Sequence, residues 1–264
     1  MSQTLPDSNS DFTASRRRRL GRSVFILPSL FTVGNIFCGY FAIISTMRGD
    51  YDQAAQAIGI ATILDVLDGR IARLTNSSTG FGLQLDSLAD LISFVIAPSI
   101  LALVWGFSTL NHRLGWIAAF TFTICGAMRL ARFNIQAGNL KHFVGLPTPA
   151  GGGMIAAIVH FFVEPVTSPV GASVLMGTVF MLAFLMVSTV RYSSLKGLTL
   201  GRKSHLTILI IALLVALIYN YSGWTLLAIA VTYVLSGIVQ RLVSLVRHKK
   251  PSPEISLTDP LEHH

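Results

Sequence analysis

The sequence predicts an all-α fold: a polytopic membrane helix bundle of eight spans with both termini on the cytoplasmic side. Three observations lead there. Only 12% of the 264 residues are charged and 52% are hydrophobic, where a soluble domain carries about 25% charged residues. Apolar runs near or above the roughly 20 residues needed to cross a bilayer as a helix recur along the chain, too often for a soluble bundle. The basic residues fall almost entirely into alternate connections. The net charge of +8 therefore reads as the positive-inside pattern, and no nucleic-acid partner is expected.

Taken in order, residues 1–15 are polar and lack an apolar period, which predicts a disordered segment. Arg16, Arg17, Arg18, Arg19 and Arg22 follow as a basic cluster before the first apolar run. No small-residue cleavage pattern comes after it, so it reads as a cytoplasmic anchor against anionic headgroups. The apolar runs lie near 24–47, 54–74, 82–106, 114–136, 149–163, 169–190, 205–221 and 224–246. An even number of spans returns the chain to its starting side. On that side lie the five arginines before the first run, Arg70 and Arg73 after the second, and Arg129, Arg132 and Lys141 after the fourth. Arg191, Lys196, Arg202 and Lys203 after the sixth and Arg241, Arg247, Lys249 and Lys250 after the eighth bring the count to 18 of 20. Only Arg48 and Arg113 remain opposite, which makes the shared side cytoplasmic.

Smaller features fit this layout. Thr75 to Gly80 supply turn residues and a cap for a helix starting near Gly82. Pro98, Pro147 and Pro149 are expected to kink or end helices. Cys38 and Cys125 sit inside apolar runs, with no metal-ligand spacing, and read as small core residues. His142 and His205 fall in connections and His160 in an apolar run; none has a second ligand at useful spacing. Residues 261–264 read as a tag remnant.

The stretch 65–90 breaks the apolar pattern. Asp65, Asp68, Asp86 and Asp90 lie inside two neighbouring spans, although each charge at the centre of a bilayer costs at least about 2.5 kcal/mol. Asp65, Asp68 and Ala72 are spaced three then four, so they share a helical face, with Gly69 one turn beyond Asp65. Gly82, Asp86 and Asp90 are spaced four then four. A short turn makes the two helices antiparallel and can bring the stripes face to face at the cytoplasmic end. Four converging carboxylates repel strongly unless protons or cations intervene. With no His or Cys beside them, they suit Mg²⁺, Mn²⁺ or Ca²⁺ rather than zinc. Mg²⁺ retains waters and commonly binds substrate phosphates, which points to a phosphate-bearing substrate. Two metals about 4 Å apart would stabilise both attacking and leaving oxygens. Gly69, Ala72 and Gly82 either admit a ligand to the helix backbone or allow tight helix packing.

The order Asp65-x2-Asp68-Gly69-x2-Ala72-Arg73-x8-Gly82-x3-Asp86-x3-Asp90 resembles, at every fixed position, the signature of the CDP-alcohol phosphatidyltransferase family. Residues 27–39 (LPSLFTVGNIFCG), 124–134 (ICGAMRLARFN) and 143–149 (FVGLPTP) are similar to its serine-accepting branch. The resemblance covers roughly residues 24–190. It implies a six-helix core over 23–190, followed by a C-terminal transmembrane pair over 191–246. A disordered 1–22 and a cytoplasmic tail over 247–264 flank them.

The implied activity is transfer of the phosphatidyl group of CDP-diacylglycerol to the hydroxyl of L-serine, with release of CMP. The implied enzyme is a divalent-metal-dependent homodimer in the bacterial cytoplasmic membrane, with its site facing the cytoplasm. By position, Asp65, Asp68 and Asp86 would ligate metal, and Asp90 would be both ligand and general base. Gly69, Ala72 and Gly82 would belong to the CDP-diacylglycerol site. Arg73 would touch the pyrophosphate or instead form a structural salt bridge. Thr32 and Asn35 share a face of the first span and either bind the nucleotide or tie helices together. Zwitterionic serine needs a cation for its carboxylate. Arg129, Arg132 and Lys141 are the candidates, the alternative being that these residues only end a helix on the positive side. Rival readings are another acceptor (glycerol phosphate, inositol phosphate or choline) or, outside the family, a cation transporter.

Overall fold

The computed structural model describes residues 30–74, 80–110, 112–136, 145–188 and 221–247. The expected N-terminal cluster, the 75–79 turn, Lys141, His142, the seventh apolar run, His205 and the tail lie outside them. All regular structure in the described residues is helical. α1 runs Leu30–Arg48, α2 Tyr51–Leu74 and α3 Gly80–Asp90. A π-helical segment, Leu91–Ile96, joins α3 directly to α4, Ala97–Gly106. Then come α5 His112–Gln136, α6 Thr148–Phe162, α7 Pro169–Val187 and α8 Ser222–Arg247. Seven of the eight expected runs thus fall on helices.

Among the described residues, five stretches are long and apolar enough to cross a membrane: Leu30–Arg48, Gly80–Gly106, Arg113–Ile135, Pro169–Val187 and Ser222–Val239. The chain is an integral membrane protein. α2 is long enough but carries the aspartates, and α6 has 15 residues.

Local chemistry sets the ends of these helices. Gly49, at φ 84°, closes α1: its N–H donates to the Thr46 carbonyl at 3.1 Å, and the Asp50 N–H donates to that of Ser45 at 2.9 Å. This is the paired cap that a left-handed glycine permits. α3 begins two residues before the expected Gly82. Ser168 caps α7, its Oγ accepting from the Gly171 N–H at 2.9 Å with Pro169 following in the first turn. Pro147 precedes α6 in an extended conformation (φ −59°, ψ 140°) that suits a residue outside the helix.

Pro98 accounts for the π segment. It has no N–H to give the Phe94 carbonyl four residues back, and its ring would collide with that carbonyl in a regular α-helix. The turn widens instead, and the Ala97 N–H donates five residues back to Ile92.

Packing uses small residues, the usual way to bring helices close where lipid removes most of the hydrophobic driving force between them. Ala54, Ala57 and Ala61 of α2 are buried, and α2 packs on α6. A Cβ on Gly152 would lie 2.5 Å from the Phe94 carbonyl oxygen, and one on Gly126 would lie 2.6 Å from Val95. α5 and α6 therefore close directly onto the π segment. α6 sits at the centre, touching α2, α4, α5, α7, α8 and the π segment. Cys38 and Cys125 are free thiols packed at the edge of this core.

At the end of α6 farthest from the aspartates, three helices meet through polar groups. His160 Nδ1 pairs with Asp52 of α2, and its Nε2 lies 2.9 Å from Ser222 Oγ of α8. Gln56 also donates to Asp52, at 2.9 Å. His160, expected to stand alone in an apolar run, is a linchpin between distant segments. Nearby, Val163 adopts φ 56°, ψ −58°, a strained conformation for a β-branched residue. Its carbonyl accepts from Trp105 Nε1 at 3.0 Å, and the Trp105 carbonyl accepts from the Val166 N–H at 3.2 Å.

Candidate metal and substrate site

α2 and α3 set their acidic stripes against each other. Oxygen atoms of Asp65, Asp68 and Asp86 all lie within 4.8 Å of one another. Asp90, one turn beyond Asp86, comes up beside Asp65. Two carboxyls approach that closely only around a proton or a cation. Asp68 is 4% exposed and accepts from Thr32 Oγ1 of α1 at 3.3 Å. The interhelical reading of Thr32 is thus present in the structure.

Asn35, one turn further along α1, is fully buried, yet among the described residues neither its amide nitrogen nor its side-chain oxygen has a hydrogen-bond partner. One carboxylate oxygen of Asp90 is in the same state. Buried polar atoms are satisfied in more than about nine cases in ten, so these orphans are groups that a ligand could satisfy.

The donor set fits a divalent cation. Octahedral coordination at about 2.1 Å places neighbouring oxygens about 3 Å and opposite ones about 4.2 Å apart. The three aspartates need only a small contraction to reach that spacing, and among the described residues no His or Cys joins the group. Asp65, Asp68, Asp86 and Asp90 could hold the metal. Gly69 bears on the ambiguity left by the sequence: among the described residues nothing lies within 4 Å of where its Cβ would be. None of the described helices packs against it. Gly82 is half-buried one turn before Asp86. Ala72 and Arg73 are placed on the last turn of α2, but their side chains lie outside what the structure describes.

The cation gathered into the site is Arg129 of α5. It lies within electrostatic range of Asp90 and Asp65, and its Nη1 donates to Thr148 Oγ1 at 2.9 Å. Thr148 is fully buried at the first turn of α6. Arg132 is half-buried one turn on. Two residues absent from the sequence-based expectation belong here. One is Thr148; the other is Tyr233 of α8, within electrostatic range of Arg129. Ser87 and Gln84 of α3 tie that helix to Asn134 of α5 at 2.9 and 3.4 Å, which fixes the acidic stripe relative to Arg129.

A family model described as CDP-alcohol phosphatidyltransferase matches residues 25–188. A CDP-diacylglycerol–serine O-phosphatidyltransferase of Helicobacter pylori is 33% identical over 232 residues, 85% of this chain and 94% of that protein. One of Bacillus subtilis is 36% identical over 170 residues, 64% of this chain and 91% of the relative. An archaetidylserine synthase of Methanothermobacter thermautotrophicus is 34% identical over 180 residues, 67% and 73% of the two chains. The family match spans both acidic helices and the arginine helix, and on these grounds the chain belongs to the CDP-alcohol phosphatidyltransferase family.

Proposed function

We propose that this protein transfers the phosphatidyl group of CDP-diacylglycerol to L-serine, forming phosphatidylserine and CMP. The observation that carries the reading is identity of 33% over nearly the whole of a relative named for that reaction, with converging carboxylates inside the matched region. The serine oxygen attacks the phosphorus that bears diacylglycerol. A new P–O bond forms, the P–O bond to CMP breaks, and the serine hydroxyl proton passes to Asp90. An aspartate is a weak base for an alcohol, so proton removal accompanies attack.

Asp65, Asp68, Asp86 and Asp90 hold divalent metal, Mg²⁺ or Mn²⁺, two ions per site; Ca²⁺ fits the same oxygen donors. When bound, the metal neutralises the pyrophosphate and eases departure of CMP. Gly69, Ala72 and Gly82 let the nucleotide approach the helix backbone, and Arg73 contacts the pyrophosphate. Thr32 orients Asp68, and the unsatisfied Asn35 amide is available to the cytidine nucleotide. Arg129 receives the serine carboxylate, with Arg132 and Lys141 behind it.

The topology that supports this chemistry has eight spans and cytoplasmic termini, in a homodimer in the bacterial inner membrane. Water-soluble serine then enters from the cytoplasm, and the lipid enters laterally from the leaflet.

The test is CMP release from labelled CDP-diacylglycerol by the purified protein in lipid nanodiscs. Serine is expected to support release, and glycerol phosphate, inositol phosphate and choline are not. Release with any of these and none with serine would overturn the assignment of the acceptor.

A further inference from the structure

We infer that α8, which lies beyond the matched residues 25–188, completes the active site, with Tyr233 as a positioning residue that holds Arg129 toward the acceptor. The inference rests on the proposed role of Arg129 as the ligand of the serine carboxylate.

The packing of α6 and α8 leads to it. His160 near the end of α6 meets Ser222 at the start of α8 at 2.9 Å, and Phe161 meets Trp224 edge to face, with ring centroids 4.5 Å apart. Between them a Cβ on Gly223 would come within 3.4 Å of the Phe161 Cα, so the two backbones nearly touch. From this fixed point the helices run antiparallel. Thr148 lies 12 residues back along α6 from His160, and Tyr233 lies 11 residues along α8 from Ser222. At about 1.5 Å per residue these are climbs of about 18 and 17 Å. Tyr233 therefore stands level with Thr148, the residue whose hydroxyl receives the Arg129 guanidinium at 2.9 Å.

Tyr233 is half-buried, packs on the core and lies within electrostatic range of Arg129. A guanidinium has five N–H donors in a rigid fork. With Thr148 taking one donor on the α6 side and the Tyr233 hydroxyl level with it on the α8 side, the remaining edge is left for Asp90 and the acceptor. Fixing the fork before serine arrives removes rotamer freedom that binding would otherwise have to remove.

The experiment compares Tyr233→Phe, Arg129→Lys and the double variant of the full chain in nanodiscs, with separate KM values for serine and CDP-diacylglycerol. Tyr233→Phe is expected to raise the serine KM about fivefold, the scale of one net hydrogen bond. The lipid KM, kcat and thermal midpoint should hold. In the Arg129→Lys background the same change is expected to add little, since a lysine cannot use the fork. A serine KM unchanged by Tyr233→Phe but raised by Arg129→Lys overturns the role of Tyr233 and leaves Arg129 in place. Equal increases in both KM values mark a merely structural tyrosine and overturn it too. A serine KM insensitive to Arg129→Lys overturns the reading of Arg129 and this inference with it.

Discussion

The two ends of α2 carry acids that are treated in opposite ways. Asp52, in the first turn, has its carboxylate occupied by His160 and Gln56. Asp65 and Asp68, about 20–24 Å along the same helix, face two more carboxyls, and one buried oxygen of Asp90 has no partner among the described residues. A fold that satisfies an acid at one end had the means to do so at the other. Satisfied polar groups hold helices together, whereas crowded and unsatisfied ones are kept for something that binds.

The contrast can be broken most severely by removing metal. Chelation is expected to reduce turnover to background and Mg²⁺ or Mn²⁺ to restore it. Added metal should also raise the thermal midpoint of the wild type but not of Asp65→Asn/Asp68→Asn, by the linkage between binding and stability, about 2.7 kcal/mol at a hundredfold excess over Kd. Full activity in chelator would show that the acids serve another purpose.

Next in size, Asp90→Asn is expected to lower kcat about 10²–10⁴-fold while CDP-diacylglycerol binding, followed by calorimetry, stays close to wild type. Lost lipid affinity at unchanged kcat would assign Asp90 to binding. At the other end, Asp52→Ala should do the reverse. The expected loss is about 1–2 kcal/mol of stability in a denaturation curve, reduced by partial solvent exposure, with kcat per folded molecule preserved. Gly69→Ala is the mildest change and the finest test. With open space around it the thermal midpoint should hold or rise slightly, by up to about 1 kcal/mol of stability, while the KM for CDP-diacylglycerol rises. An unchanged KM would mean that no ligand approaches there.

Much of this was legible in the sequence, for identifiable reasons. Apolar runs report helices because every backbone polar group in lipid must be satisfied within its own segment. The aspartates were legible because charge inside such runs is costly, and because spacings of three and four put them on one face. The Asp52–His160–Ser222 contact was not legible, since its members are separated by 108 and 62 residues and only helix packing unites them. Thr148 and Tyr233 were hidden for the same reason: a threonine after a proline reads as a helix start, and a tyrosine in a terminal span reads as an interface anchor. Gly69 could be read two ways because a missing side chain fits both a neighbour helix and a ligand. Only the surrounding space separates those readings.

The wide turn at Leu91–Ile96 has a consequence for how this span can change over generations. Bilayer thickness would tolerate a residue gained or lost, since a tilt absorbs about 1.5 Å. Rotation does not forgive in the same way. Removing one residue between Asp90 and Pro98 would turn the acidic half of the rod by about 100° relative to the half that follows Pro98, swinging Asp86 and Asp90 away from α2. The spacing from the last aspartate to that proline is therefore a phase setting, and length variation among descendants of this chain is expected to spare those eight bonds while accumulating elsewhere in the span.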